Sequence, residues 1–196
     1  MADPDGTMAV DVVFETHALT TDNAAGVATG WRGGELSAQG RVLAAELGRR
    51  RREDGVDAVF SSDLGRAVET VRIAFAGSAI PVHLDWRLRE CDYGELNGMP
   101  VSRLEGQRRS RVHEPFPGGE SYADVVRRMA GFLAELACTR DGRRVLLVGH
   151  TATRWALDHL LLGTPLEAAV AAPFDWREGW SYVLPGGRGP VNHRRT

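Results

Sequence analysis

Arg144-Val145-Leu146-Leu147-Val148-Gly149-His150-Thr151 reads as a buried strand that ends in a glycine and a histidine and passes straight into a helix start. Val145 to Val148 leave no polar face, which is the pattern of a strand covered on both sides, as in the parallel sheets of α/β proteins. Thr151 is the expected cap of the next helix, whose apolar positions are Trp155, Leu157, Leu160 and Leu161. The same alternation recurs to either side. Residues 10–14 form an apolar, β-branched run feeding a polar loop that lasts to about Glu35, and Ser37 caps a helix with Val42, Leu43 and Leu47 inside and Arg49 to Arg52 at its end. A strand is expected over 57–60, a helix capped by Asp63 as far as about Ala76, and a strand over 80–84 after the break at Gly77-Ser78. Ser121 caps a helix carrying Val125, Met129, Phe132, Leu133 and Leu136, and residues 180–184 form a last strand. Between 92 and 122 many Gly, Pro, Arg and Glu residues leave only weak periodicity, and no element is assigned there. This order predicts a three-layer α/β/α sandwich with a mostly parallel central sheet, and a site at the carboxyl ends of its strands.

Length and composition narrow the function classes. A chain of 196 residues with 43% hydrophobic and 26% charged residues suits a single folded domain over 1–196, with flexible ends at 1–8 and 185–196. A net charge of -2 and a pI near 6.3 supply no basic stripe for nucleic acid, so neither DNA nor RNA is an expected partner. The chain contains no Lys, so any cationic chemistry belongs to Arg or His. Two cysteines, Cys91 and Cys138, are too few for a disulfide framework, and no targeting or membrane-spanning segment is evident. The expectation is a cytoplasmic protein with no metal, no cofactor and no membrane partner; a homodimer is left open.

His17 and His150 each stand directly after a predicted strand, so in a parallel sheet both can reach one crevice. Position alone does not make either one catalytic. Several motifs, taken together, do more. Phe14-Glu15-Thr16-His17-Ala18-Leu19-Thr20-Thr21-Asp22-Asn23, Gly30-Trp31 with Leu36-Ser37-Ala38-Gln39-Gly40, and Ser61-Ser62-Asp63-Leu64-Gly65-Arg66-Ala67-Val68-Glu69-Thr70 follow one another in order. Leu88-Arg89-Glu90-Cys91-Asp92-Tyr93-Gly94, Pro117-Gly118-Gly119-Glu120-Ser121 and Val148-Gly149-His150 complete the series. In order and spacing, over about residues 10–163, these segments resemble the histidine phosphatase (phosphoglycerate mutase-like) superfamily.

The resemblance implies a phosphohydrolase acting on a small phosphomonoester through a phosphohistidine. His17 is then the nucleophile, Glu90 the acid and later the base, and His150 a catalytic partner. Arg66 and Asn23 are expected to hold the phosphoryl oxygens, with Thr16, Thr20 and Thr151 as further substrate-binding hydroxyls. The pattern breaks where the family has Arg-His-Gly followed by an acidic residue, because this chain has Thr16-His17-Ala18-Leu19. The missing guanidinium corresponds to about 3 kcal/mol, or about a hundredfold in rate. Glu15 lies two residues from His17 and, in an extended strand, on the same face, where its carboxylate would favour an imidazolium. Arg32, Arg89 and Arg154 are candidates to replace the missing charge. Two further readings therefore stand beside the phosphatase: a non-phosphatase enzyme on the same scaffold, and a catalytically silent homologue that binds a small ligand.

Overall fold

The computed structural model describes residues 8–173 and 175–187. Strand β1 (Val10–Thr16) leads through a short helix α1 (Thr21–Ala24) and β2 (Val27–Ala28) to α2 (Ala38–Arg51), β3 (Ala58–Ser61), α3 (Gly65–Ala74) and β4 (Val82–Leu84). There follow β5 (Met99–Pro100), α4 (Val101–Glu105), α5 (Tyr122–Thr139), β6 (Arg144–Gly149), α6 (Thr151–Leu162), α7 (Leu166–Ala171) and β7 (Trp180–Leu184). The five-stranded sheet has the order β4-β3-β6-β1-β7. Its strands are parallel except for β7, which runs antiparallel to β1. This is the expected α/β architecture, with helices packed on the sheet's two faces.

The period of two along the central strands sorts the core. Val12 and Phe14 of β1, with Val145 and Leu147 of β6, join the large cluster under α5 and α6. Val13, Leu146 and Val148 point the other way, to Leu47 of α2 and Val71 and Ala74 of α3. Both faces of β1 and β6 are therefore covered, which is why these strands read as continuous apolar runs. Close approach of α2 to the loop after β1 depends on Gly40, where a Cβ would stand 1.9 Å from the Leu19 carbonyl oxygen.

Two expected caps differ. Asp63 does not cap α3: its carboxylate is held by Arg89, Nε to Oδ1 and Nη2 to Oδ2 at 2.6 Å each, and Leu64 takes the cap position without a side-chain bond. A two-pronged ion pair outcompetes a single backbone N–H for the same oxygens. At α6 the cap is His150, whose N–H donates to Thr153 Oγ1 at 3.3 Å, so Thr151 is the first residue inside the helix. The stretch left unassigned over 92–122 contains β5, paired with β2, the short α4, and 3-10 turns at Gly94–Leu96 and Arg108–Arg111. Edge-on ring contacts from Tyr93 to Phe116 (5.1 Å), Phe116 to Tyr122 (5.9 Å) and Tyr122 to Trp155 (5.2 Å) tie it to the core. Among the described residues no helix is long and apolar enough to cross a membrane. The expected fraying of the ends falls largely on 1–7 and 188–196, which lie outside the described residues.

Candidate active site

Sheet register brings the two histidines together. Thr16 at the end of β1 pairs with Gly149 at the end of the neighbouring parallel strand β6, so the next residue of each chain segment emerges at the same height. The His17 N–H donates to the Gly149 carbonyl at 3.0 Å, and the two imidazole centroids lie 5.0 Å apart. Arg66, in the first turn of α3, reaches both from inside the protein and is only 2% exposed. Its Nε donates to His17 Nε2 at 3.2 Å and its Nη2 to His150 Nδ1 at 3.3 Å. Carbonyls of Gly30 (2.8 Å) and Arg32 (3.2 Å) fix the rest of the guanidinium. Gly30 aims its carbonyl there from φ +57°, with no room for a Cβ beside Asn97.

These partners determine the tautomers. A guanidinium only donates, so His17 Nε2 and His150 Nδ1 are both acceptors. The protons sit on the opposite nitrogens: His17 Nδ1–H donates to the Ala18 carbonyl at 2.8 Å and His150 Nε2–H to Ser62 Oγ at 2.9 Å. Ala18 is itself anchored, its N–H donating to Thr70 Oγ1 at 3.0 Å. Desolvation and repulsion from Arg66, partly offset by the Ala18 carbonyl, push the His17 pKa down to about 3. The same two causes hold His150 well below the ordinary histidine range. Both rings are neutral at physiological pH, and His17 presents an unprotonated Nε2.

Glu90 is buried, and the neighbouring Arg87 and Arg89 pair with Asp85 and Asp63. Its Oε1 accepts from Cys91 N at 2.8 Å and from Ala152 N, in the first turn of α6, at 3.2 Å. Burial raises its pKa more than those two donors and Arg66 lower it. The Glu90 carbonyl is fixed by Trp31 Nε1 (2.7 Å) and Arg128 Nη2 (2.9 Å), so the backbone bearing the carboxyl is held on two sides.

A cavity of about 500 Å³ opens beside this cluster, with His17, His150, Thr16, Asn23 and Thr151 on its wall; Arg66 and Glu90 do not line it. Thr20 is not on the wall; it is fully buried, and its hydroxyl donates to Asn23 Oδ1 at 2.8 Å while accepting from Asn23 N–H at 2.9 Å. Thr20 thus orients Asn23 and leaves the amide NH2 of Asn23 for the cavity. Glu15 does not act on His17. It lines the cavity but is 2% exposed, and its carboxylate is held toward α2 by Arg51 Nε at 2.8 Å and Arg50 Nη2 at 3.5 Å. None of Arg32, Arg89 and Arg154 lies on the cavity wall; Arg89 is bound to Asp63 and Arg154 pairs with Asp158. The motif reading gave no role to Ser62, Thr70 or the Ala18 carbonyl, although Ser62 and Thr70 stood inside the quoted segment around Arg66. Arg50, Arg108 and Trp176, also on the wall, carry no motif signal and come together only through the fold.

Comparison with known proteins agrees with this geometry. The family model described as histidine phosphatase superfamily (branch 1) matches residues 12–181. The protein named probable phosphoglycerate mutase GpmB of Salmonella typhi is 33% identical over 167 residues, spanning 81% of this chain and 78% of that one. Bacillus stearothermophilus YhfR superposes with a TM-score of 0.77 at 26% identity, over 87% of this chain and 88% of the other. A mycobacterial glucosyl-3-phosphoglycerate phosphatase, solved in complex with VO3, gives a TM-score of 0.74 at 26% identity over 86% and 88%.

Proposed function

The chain belongs to branch 1 of the histidine phosphatase superfamily, and from that premise we propose that it hydrolyses a phosphomonoester through a phosphoryl group carried on His17 Nε2. The observation that carries the reading is the state of His17: Nδ1–H tied to the Ala18 carbonyl, Nε2 unprotonated, and a buried guanidinium beside it. In the first step the Nε2 lone pair attacks phosphorus, the ester P–O bond breaks, and the Glu90 carboxyl gives its proton to the departing oxygen. Arg66 exchanges its bond to Nε2 for one to a phosphoryl oxygen, and His150, the Asn23 amide and the Thr16 and Thr151 hydroxyls line the same space. Water then attacks the phosphohistidine, Glu90 takes the water's proton, and inorganic phosphate leaves with His17 restored. A bound phosphate dianion adds like charge near Glu90 and favours its protonated form further.

The Glu90→Gln protein tests this assignment. It is expected to release phosphate from phenyl phosphate about a hundredfold more slowly than the native protein. In kcat/KM, which reports the first step and not the later water attack that also uses Glu90, the loss with para-nitrophenyl phosphate is much smaller, because its leaving group needs no proton. Native turnover should rise as His17 loses its proton near pH 3 and fall on the alkaline side as Glu90 ionises. Equal losses of kcat/KM with both esters contradict the acid role, and absence of phosphate release from either ester by the native protein contradicts the hydrolase reading. One observation favours a second reading, a ligand-binding homologue without turnover: the lone pair that must attack accepts from Arg66, and Thr16 supplies no second cation to draw Arg66 away.

A further inference from the structure

The cavity is far larger than a phosphoryl group needs, and its volume of about 500 Å³ is that of a small-molecule site. Its wall beyond the histidines is formed by Leu19, Leu43 and Leu47 on one side, with Val101 and Trp176. Leu43 and Leu47 are one turn apart on α2, Leu43 part-buried and Leu47 3% exposed, and Trp176 is 52% exposed. Four charged side chains also line the wall: Glu15, Arg50, Glu105 and Arg108. Arg50 reaches Glu15 at 3.5 Å and Glu178 at 3.6 Å, Arg108 reaches Glu105 at 3.6 Å, and Glu15 is held more closely by Arg51 at 2.8 Å. The remote wall thus has two guanidinium groups matched by two carboxylates, and no surplus positive charge. A second anionic group on the ester would have to break one of these pairs and be desolvated next to a carboxylate. An apolar group would cover the leucines and the indole face and gain by leaving water.

Resting on the hydrolase reading above, we propose that the ester taken by this site carries an uncharged, apolar, ring-sized group seated between the α2 leucines and Trp176, and no second acid. The charge balance of the wall excludes carboxylated esters from good fit, and its apolar side chains supply the selectivity.

Binding of two non-hydrolysable phosphonates, naphthylmethylphosphonate and phosphonoacetate, separates the cavity's preference from its chemistry. Calorimetric titration of the native protein is expected to give a Kd at least about tenfold lower for the naphthyl compound. That advantage should shrink in Trp176→Ala, at a half-exposed position, and in Leu43→Gln, at a part-buried one, with circular dichroism confirming that both variants fold. Equal or tighter binding of phosphonoacetate, binding of neither phosphonate, or a preference unchanged in both variants overturns the proposal. A naphthyl preference in a protein that hydrolyses neither aryl phosphate would reject the hydrolase reading and retain this one; hydrolysis without the preference would do the reverse.

Discussion

His17→Ala is expected to lose turnover of phenyl phosphate by at least about 10⁴-fold, the scale on which removal of an attacking nucleophile acts. No neighbouring group can substitute. His150 is neutral, but it is 1% exposed, with Nδ1 accepting from Arg66 and Nε2–H spent on Ser62, whereas His17 is only part-buried and presents its ring to the cavity. Glu90 is engaged through Oε1, and the proposed mechanism assigns it the acid's role. The variant also leaves Arg66 Nε without its acceptor, so an unfolded protein must be distinguished from an inactive one. Imidazole added to the folded variant should restore part of the turnover, because it can occupy the space left by the ring and offer the same lone pair. Undiminished hydrolysis by His17→Ala contradicts the role of His17.

Thr16→Arg should do the opposite and raise kcat/KM for the same ester by about 10²–10³-fold, the range associated with one well-placed donor to developing phosphoryl charge. Thr16 lies on the cavity wall next to His17 and is not fully buried, so a longer side chain has solvent-filled space to enter. Glu15 lines the same wall, but its carboxylate is already matched by Arg50 and Arg51 and is not free to quench a cation there. The new charge would draw the phosphoryl oxygens toward the wall, freeing the His17 lone pair from Arg66 as the ester arrives. A gain in kcat exceeding the change in KM would place the effect in the transition state. No gain, in a variant that still binds phosphate, would mean that another group already serves as the second cation.

Much of the fold was legible because the central strands carry so little else. Val145 to Val148 and Val12 to Phe14 are apolar on both faces, and residues of that kind at that length are short of alternatives once helices flank them. The histidines that end these strands follow from the same reading, since adjacent parallel strands in register deliver the residues after them to one place. Reading failed where distant partners decide. Asp63 has the chemistry of a helix cap, but Arg89, which comes from a separate segment, claims both its oxygens. Glu15 shares strand parity with His17, yet the side chain that fixes its direction is Arg51 on α2. The 92–122 segment has little periodicity because single aromatic anchors, Tyr93 and Phe116 among them, hold it in place of a repeating face. The apolar wall of the cavity was invisible for a related reason: Leu43 and Leu47 read as helix core, and only packing shows that they face a space shared with His17 and Trp176.

The most direct test of the account is to find the phosphoryl group itself. Native protein mixed with labelled para-nitrophenyl phosphate and quenched within the first turnover into alkali, where phosphohistidine survives, should carry label on the peptide containing His17. That label should form at least as fast as phosphate is released and should be absent from His17→Ala. Label on any other residue, or phosphate release with no labelled protein under conditions where the phosphohydrolysis step is slow, would contradict a covalent role for His17.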